Sequence, residues 1–243
     1  GDVYKRQMEG GMSNSQIVDI LSKGQTYAVK FAVPEGFNIV KIGRKLEAEG
    51  LGNAAKFEEA ARNYTPYPYM ETNNPAVIFK AEGFVYPTTY QIDPDLSEKE
   101  ILAIMVQTFN AEMNKEKIPE LARQKEISLR DLINLASMVE LEAVFEEEQP
   151  RIAGVFLKRL RIFMPIQSDT TIQYLLGAQK EEVTIADTKI DSPYNTYQNQ
   201  GLPPGPIASP GMKAIKATLF PEESEYLYFV CLLYTSPSPR DGL

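Results

Sequence analysis

Ser128-Leu-Arg-Asp-Leu-Ile-Asn-Leu-Ala-Ser-Met-Val-Glu-Leu-Glu142 reads as a helix with apolar residues on every side: Leu129, Leu132, Ile133, Leu135, Ala136, Met138, Val139 and Leu141. A helix greasy all round belongs at the centre of a fold, because no face of it suits water. Ser128 is the expected N-cap, with Asp131 three residues on in near capping-box spacing. Glu140 and Glu142 close the helix, and residues two apart point roughly 200° away from each other, so the pair cannot serve one cavity. On the wheel Glu140 falls amid Leu129, Ile133 and Ala136, and Glu142 beside Leu135 and Met138. Near the helix C-terminus the macrodipole and the apolar neighbours both raise the pKa of Glu142. The wheel leaves the choice between the two open. A carboxyl kept protonated near neutral pH is suited to general acid chemistry, whereas the plain alternative for either residue is a solvated or paired helix-end glutamate.

Outward from this helix, the chain punctuates itself with caps and turns. Gln149 to Arg161 is a further amphipathic helix, with Ile152, Val155, Phe156 and Leu160 inward and Arg151, Lys158 and Arg159 outward. Ser168 caps a short helix ending at Gly177, Ser209-Pro210 start another as N-cap and first-turn proline, and Tyr226 to Val230 reads as a closing strand. Upstream, helices are expected over about Ser97 to Met113 and Ile118 to Gln124, and a strand over Ala76 to Phe79. Tyr64 to Pro75, rich in Pro, Tyr and Asn without periodicity, is the best linker, dividing the chain into residues 8–75 and 76–230. Before it come a short helix over 16–22, a strand over Thr26 to Val33, a Pro34-Glu-Gly36 turn, a helix from Ile39 to Glu49, and a second helix from Ala54 to Arg62 capped by Asn53. The fold class expected is α+β: a small α/β unit, then a mainly helical domain with short strands. The order strand, turn, helix, Gly-Leu-Gly, helix resembles a LysM-like glycan-binding module.

Composition narrows the chemistry. The 25 basic and 33 acidic residues give a net charge of -8 with no basic stripe, which argues against a nucleic-acid surface. There is no histidine at all, so Ser-His-Asp and Cys-His mechanisms are excluded for this chain, and a zinc site would need carboxylates alone. Neither a metal nor another cofactor is expected. The codons GAT GTG TAT AAG AGA CAG encode Asp2 to Gln7, and their reverse complement, read one base on, encodes Cys231 to Ser236. Residues 1–7 and 231–243 therefore read as one transposon-type adapter in two orientations and are set aside. On that reading Cys231 says nothing of redox compartment, and the missing leader or span says nothing of location.

Three loops could hold a ligand near the glutamates. Gln167-Ser-Asp-Thr-Thr171 offers an amide, three hydroxyls and a carboxylate at a helix start; capping explains Ser168 and Asp169 but not Gln167. Asp169 is the natural second carboxylate for a two-acid hydrolase. Tyr194, Asn195 and Tyr197 could stack on and hydrogen-bond to sugar rings, or simply form an Asn-containing turn. Gly201-Leu-Pro-Pro-Gly-Pro206 is stiff, either a preformed wall or a rigid connector.

In this order, Glu82-Gly-Phe-Val-Tyr-Pro-Thr-Thr-Tyr90, Ala136 to Ala143, Ile152 to Leu160, Met164-Pro-Ile-Gln-Ser-Asp169, Ser192 to Tyr197, Gly201 to Gly211 and Tyr226 to Val230 resemble the endolytic murein transglycosylases, the YceG-like family. The resemblance covers nearly all of residues 8–230. It implies a LysM-like first domain followed by a lytic transglycosylase domain, a lyase acting on peptidoglycan strands without a cofactor. It places the catalytic acid on the second glutamate of Val-Glu-x-Glu, Glu142, with Glu82, Gln167, Ser168, Asp169, Thr171, Tyr194, Asn195 and Tyr197 around the sugar. It further implies a single-pass anchor in the cytoplasmic membrane upstream, a catalytic domain facing the wall, and peptidoglycan synthases as partners. Leu141, Thr170 and Thr88 depart from the residues common there, Lys, Pro and Asp, and the family continues past the Tyr226 to Val230 stretch into a segment with His and Thr. Two rivals stand beside it: a muramidase-type hydrolase using Glu142 and Asp169, and a non-catalytic glycan-binding scaffold.

Overall fold

The computed structural model describes residues 13–15, 28–177, 180, 182–223 and 225–229; the helix expected over 16–22 and both adapter-like ends lie outside the described residues. The chain runs through β1 (Val29–Ala32), α1 (Ile39–Ala48), α2 (Ala54–Arg62), β2 (Thr89–Ile92), α3 (Glu98–Lys115), α4 (Ile118–Gln124), α5 (Leu129–Glu142), α6 (Gln149–Arg161), α7 (Asp169–Leu176) and α8 (Met212–Leu219). β1 and β2 pair antiparallel, Phe31 opposite Tyr90. The mixture is α+β, mostly helical with one small sheet. Among the described residues no helix is long and apolar enough to cross a membrane.

The all-apolar helix is central because it is the wall between two cores. Leu132, Ile133 and Ala136 of α5 join the core built from β1, α1, α2, β2 and α3, with Ile215 and Leu219 of α8. Leu135, Met138 and Val139 face the other way, onto Ile152, Ala153 and Phe156 of α6, and onto Ile166, Tyr194 and Ile207. Leu132, Ile133, Leu135 and Met138 are wholly buried, so truncating one of them to Ala removes ~2–5 kcal/mol of stability. Ser128 caps α5, accepting from the Asp131 N–H at 3.0 Å while its hydroxyl donates to Asp131 at 2.7 Å.

Polar residues on a third stripe of α5 tie down the proline-rich segment. Asn134 Nδ2 donates to the Pro203 carbonyl at 2.7 Å, Ser137 Oγ accepts from the Ile207 N–H at 3.1 Å, and Glu140 Oε2 accepts from the Gly211 N–H at 3.0 Å. Steps of three along the helix thus match steps of four along an extended strap. Prolines lack a donor, so the strap has few amides to offer, and α5 takes those of Ile207 and Gly211.

Several expected elements differ. Residues 64–75 are packed: Met70 is fully buried, Tyr69 packs on Phe84 and Phe109, and Arg130 donates to the Met70 carbonyl at 2.9 Å. Since β2 lies beyond residue 75, both the sheet and the larger core run across the expected boundary. Residues 76–79 are not a strand: the chain turns at 75–76, where the Asn74 side chain and carbonyl accept from the Ala76 and Val77 N–H groups. Ser209 does not start α8. Its N–H and carbonyl are bonded to Phe37 and Gly36, and Gly211 is the N-cap. Residues 226–229 are not a strand; the Leu227 carbonyl accepts from Arg159 at 2.7 Å, and Phe229 packs edge-on against Phe156.

Candidate active site

The two glutamates of α5 part company in space as the wheel requires. Glu140 is held by the Gly211 N–H at the start of α8, and burial first of all pushes its carboxyl above the usual range, with Glu35 and Glu146 adding to it. Glu142, the last residue of α5, turns to the start of α7. Ser168 Oγ donates to Glu142 Oε1 at 2.5 Å. Burial again raises the carboxyl pKa and the charge of Asp169 adds to it, while Ser168 and the hydroxyl and N–H of Thr170 work against the rise. The residue as a whole is partly exposed, while its carboxyl is largely enclosed. The position at its own helix C-terminus, argued above as a cause of a raised pKa, is countered by the N-terminus of α7 facing it.

The segment bearing Ser168 is fixed from three sides. Thr196 accepts from the Ser168 N–H through its hydroxyl at 3.0 Å and from the Gln167 N–H through its carbonyl at 3.1 Å. Thr171, fully buried, bonds the Ser168 carbonyl at 2.8 Å and the Thr196 hydroxyl at 3.0 Å. From below, the Arg159 guanidinium donates to the carbonyls of Ile166 and Leu227 and lies over the Tyr228 ring. Arg159 is only 6% exposed, contrary to the outward placement expected, and it lies near enough to feel the charges of Tyr197 and Glu142. Its spacing from Ile152, Val155 and Phe156, seven, four and three residues, was the available signal of an inward side chain.

The other expected residues fall into two groups. Near Glu142 stand Ser168, Asp169 and Tyr197: the Tyr197 hydroxyl donates to Asp169 Oδ1 at 2.5 Å, Asp169 is exposed, and Tyr197 is half-buried. Gln167, exposed beside them, holds a left-handed backbone at φ 53°. Asn195, Tyr194 and Thr171 lie inside. Asn195 donates to the carbonyls of Thr188 and Ile190 at 3.0 and 2.7 Å and accepts from the Tyr197 N–H at 3.0 Å, so its amide shapes the 188–197 loop. Tyr194 is 1% exposed, with its ring against Tyr174. Glu82 is also buried, its carboxylate accepting from the Ile39 N–H and, at 3.2 Å, from the Tyr174 hydroxyl; burial pushes its pKa up to about 8. Thr170, expected only as one of the loop's hydroxyls, bonds Glu142 directly, and Thr196, not singled out from the sequence, holds the segment that carries Ser168. A cavity of about 690 Å³ lies elsewhere, between α6 and residues 218–225, and none of the expected site residues lines it.

Comparison with known proteins places this arrangement. The profile of the YceG-like family matches residues 4–237, overlapping parts of both ends set aside above. A protein of Bacillus subtilis named endolytic murein transglycosylase is 35% identical over 90% of this chain and 64% of its own length. One of the same name from Streptococcus pneumoniae is 30% identical over 92% of this chain and 45% of its own. The chain thus spans less than two thirds of these curated relatives. A crystal structure of a yceG-like protein from Listeria monocytogenes superimposes with a TM-score of 0.77 at 32% identity, covering 92% of this chain and 77% of that one. The chain belongs to the YceG-like family.

Proposed function

We propose that this protein is an endolytic murein transglycosylase that cleaves the bond between N-acetylmuramic acid and N-acetylglucosamine inside a glycan strand, with Glu142 as both acid and base. The observation that carries the reading is the surroundings of two glutamates on one helix: both are partly exposed, raised in pKa by burial and bonded to a main-chain N–H, but only Glu142 is set among hydroxyls, those of Ser168 and Thr170, beside the exposed Asp169. The names of the relatives at 35% and 30% identity support the substrate class.

Protonated Glu142 donates to the bridging oxygen, and the C1–O bond breaks towards the departing sugar. The resulting carboxylate takes the proton of the muramyl C6 hydroxyl, whose oxygen closes on C1 to give a 1,6-anhydro end. No water is consumed, and Glu142 regains its proton. Intramolecular attack gains from proximity, and acid-base help is worth roughly 10²- to 10⁴-fold. Gln167, Asp169 and Tyr197 are the exposed or half-buried polar groups available to position the sugar, while Thr171, Tyr194, Asn195 and Glu82 act from behind by holding the walls. In the order strand, helix, helix, strand with antiparallel pairing, β1, α1, α2 and β2 are consistent with a LysM-like unit that grips the strand. Because murein lies outside the cytoplasmic membrane, the reading includes an extracytoplasmic catalytic unit on a single-pass anchor, with murein synthases as partners.

The test is mass spectrometry of purified murein digested by the protein. Anhydro-ended fragments, without added water, are expected. Fragments carrying added water would instead make it a muramidase using Glu142 and Asp169, and binding without release would make it a scaffold.

A further inference from the structure

The start of α7 carries an anomaly. Ser168 stands at the N-cap with extended backbone, yet its side chain makes no capping bond to its own helix. A serine at this position ordinarily accepts from the N–H of the second or third helical residue. Here its hydroxyl is turned outward to donate to Glu142, and the Thr170 N–H, one of the four N–H groups a helix start leaves unpaired, acts on the Glu142 carboxyl instead. The Ser168 and Thr170 hydroxyls lie 2.6 Å apart, so both converge on one carboxyl. Glu142 thus caps α7 from another helix, and the residue at the N-cap has been released to donate to it.

The geometry points to Ser168 and Thr170 as positioning residues for Glu142: a preformed donor set at the α7 N-terminus that receives the negative charge left on the carboxyl when its proton passes to the glycosidic oxygen. The inference rests on the reading of Glu142 as the acid and assigns Ser168 a role other than touching sugar. Burial alone would hold the proton on Glu142 too firmly for transfer. Donors in fixed places lower the cost of the charged form without reorganising during the reaction, and the positive end of the α7 dipole adds to them. The rigid fixing of Ser168 by Thr196 and Thr171, and of Ile166 by Arg159, is what keeps these donors in place. The other charged or titratable groups around the carboxyl are Asp169, whose charge favours the protonated form, Tyr197, bonded to Asp169, and Arg159 beneath.

The test combines two readouts on Ser168→Ala, Thr170→Val and the double variant, with Thr170→Ser as the conservative control. First, the Glu142 carboxyl is titrated by NMR in protein with 13C-labelled glutamate, assigned with Glu142→Gln. Removing a donor to a carboxylate raises its pKa, so the midpoint should move up by about one unit per variant and further in the double, with Thr170→Ser close to wild type. Second, in murein digestion the limb where activity falls with rising pH should move to higher pH, with kcat reduced at the optimum and KM unchanged. An unmoved or lowered Glu142 midpoint overturns the inference, as does a raised KM with an unmoved limb, which would make Ser168 a substrate contact. The titration decides the inference even where the digestion shows no anhydro ends, so its failure is separable from failure of the proposed activity.

Discussion

Glu82 and Glu142 are two answers to one physical problem. Each is a carboxyl pushed up in pKa mainly by burial, and each stands at the N-terminus of a helix from another part of the chain: Glu82 at α1 through the Ile39 N–H, Glu142 at α7 through Thr170. The same helix touches both, since Tyr174 of α7 donates to Glu82. What separates them is access. Glu82 is 1% exposed, whereas Glu142 is a partly exposed residue next to the exposed Asp169. A raised pKa therefore does not identify an acid catalyst by itself. It does so only where a leaving group can reach the proton, and by that measure Glu82 is a structural carboxyl joining the α1 and α7 regions.

The buried side of this comparison is the easier to break. Gly83 has φ 81°, and a Cβ there would stand 2.4 Å from the Pro206 Cβ. Gly83→Ala combines backbone strain of ~1–3 kcal/mol with overpacking of similar size, so a loss of about 2–4 kcal/mol is expected in chemical denaturation. A loss under about 1 kcal/mol would show that the strap at Pro206 moves aside and that the packing beside Glu82 is soft.

A second effect, of similar size, sharpens the comparison through pH. The folded-state pKa of Glu82, about 8, lies above its ordinary value of 4.5, so folding takes up a proton in between. The associated stability is fully present below about pH 4.5 and is lost as pH rises through about 8. Glu82→Gln keeps an acceptor for the Ile39 N–H and removes the titration. Denaturation at pH 5 and pH 9 should show wild type losing stability relative to the variant, by on the order of 4 kcal/mol. Parallel curves for the two proteins would mean that Glu82 stays neutral or stays solvated throughout.

Local signals carried the helices well. Ser128, Asn53 and the 39-42-46 spacing placed α5, α2 and α1 because caps and apolar stripes are short-range chemistry. What escaped was set by distant partners. β2 is a strand because Tyr90 meets Phe31 across 59 positions, and Ser209 fails to cap α8 because Phe37 and Gly36 claim its backbone. The candidate site was half legible for the same reason. Ser168, Asp169 and Tyr197 are near Glu142 as expected, but the burial of Tyr194 and Asn195, the inward turn of Arg159 and the reversal of Ser168 from cap to donor depend on how α6, α7 and the 188–197 loop pack. The choice of Glu142 over Glu140 came from family resemblance; both accept a main-chain N–H, and what differs between them is the pair of hydroxyls at Glu142.

The central claim is that Glu142, and not its neighbour on the same helix, carries the proton to the glycan. Its most direct test is the release of anhydro-ended fragments from purified murein by wild type, Glu142→Gln and Glu140→Gln, each shown folded by circular dichroism. The account predicts a fall of at least about 10²-fold for Glu142→Gln, with Glu140→Gln retaining most of the activity of wild type. Unchanged release by Glu142→Gln, or a loss confined to Glu140→Gln, would contradict it.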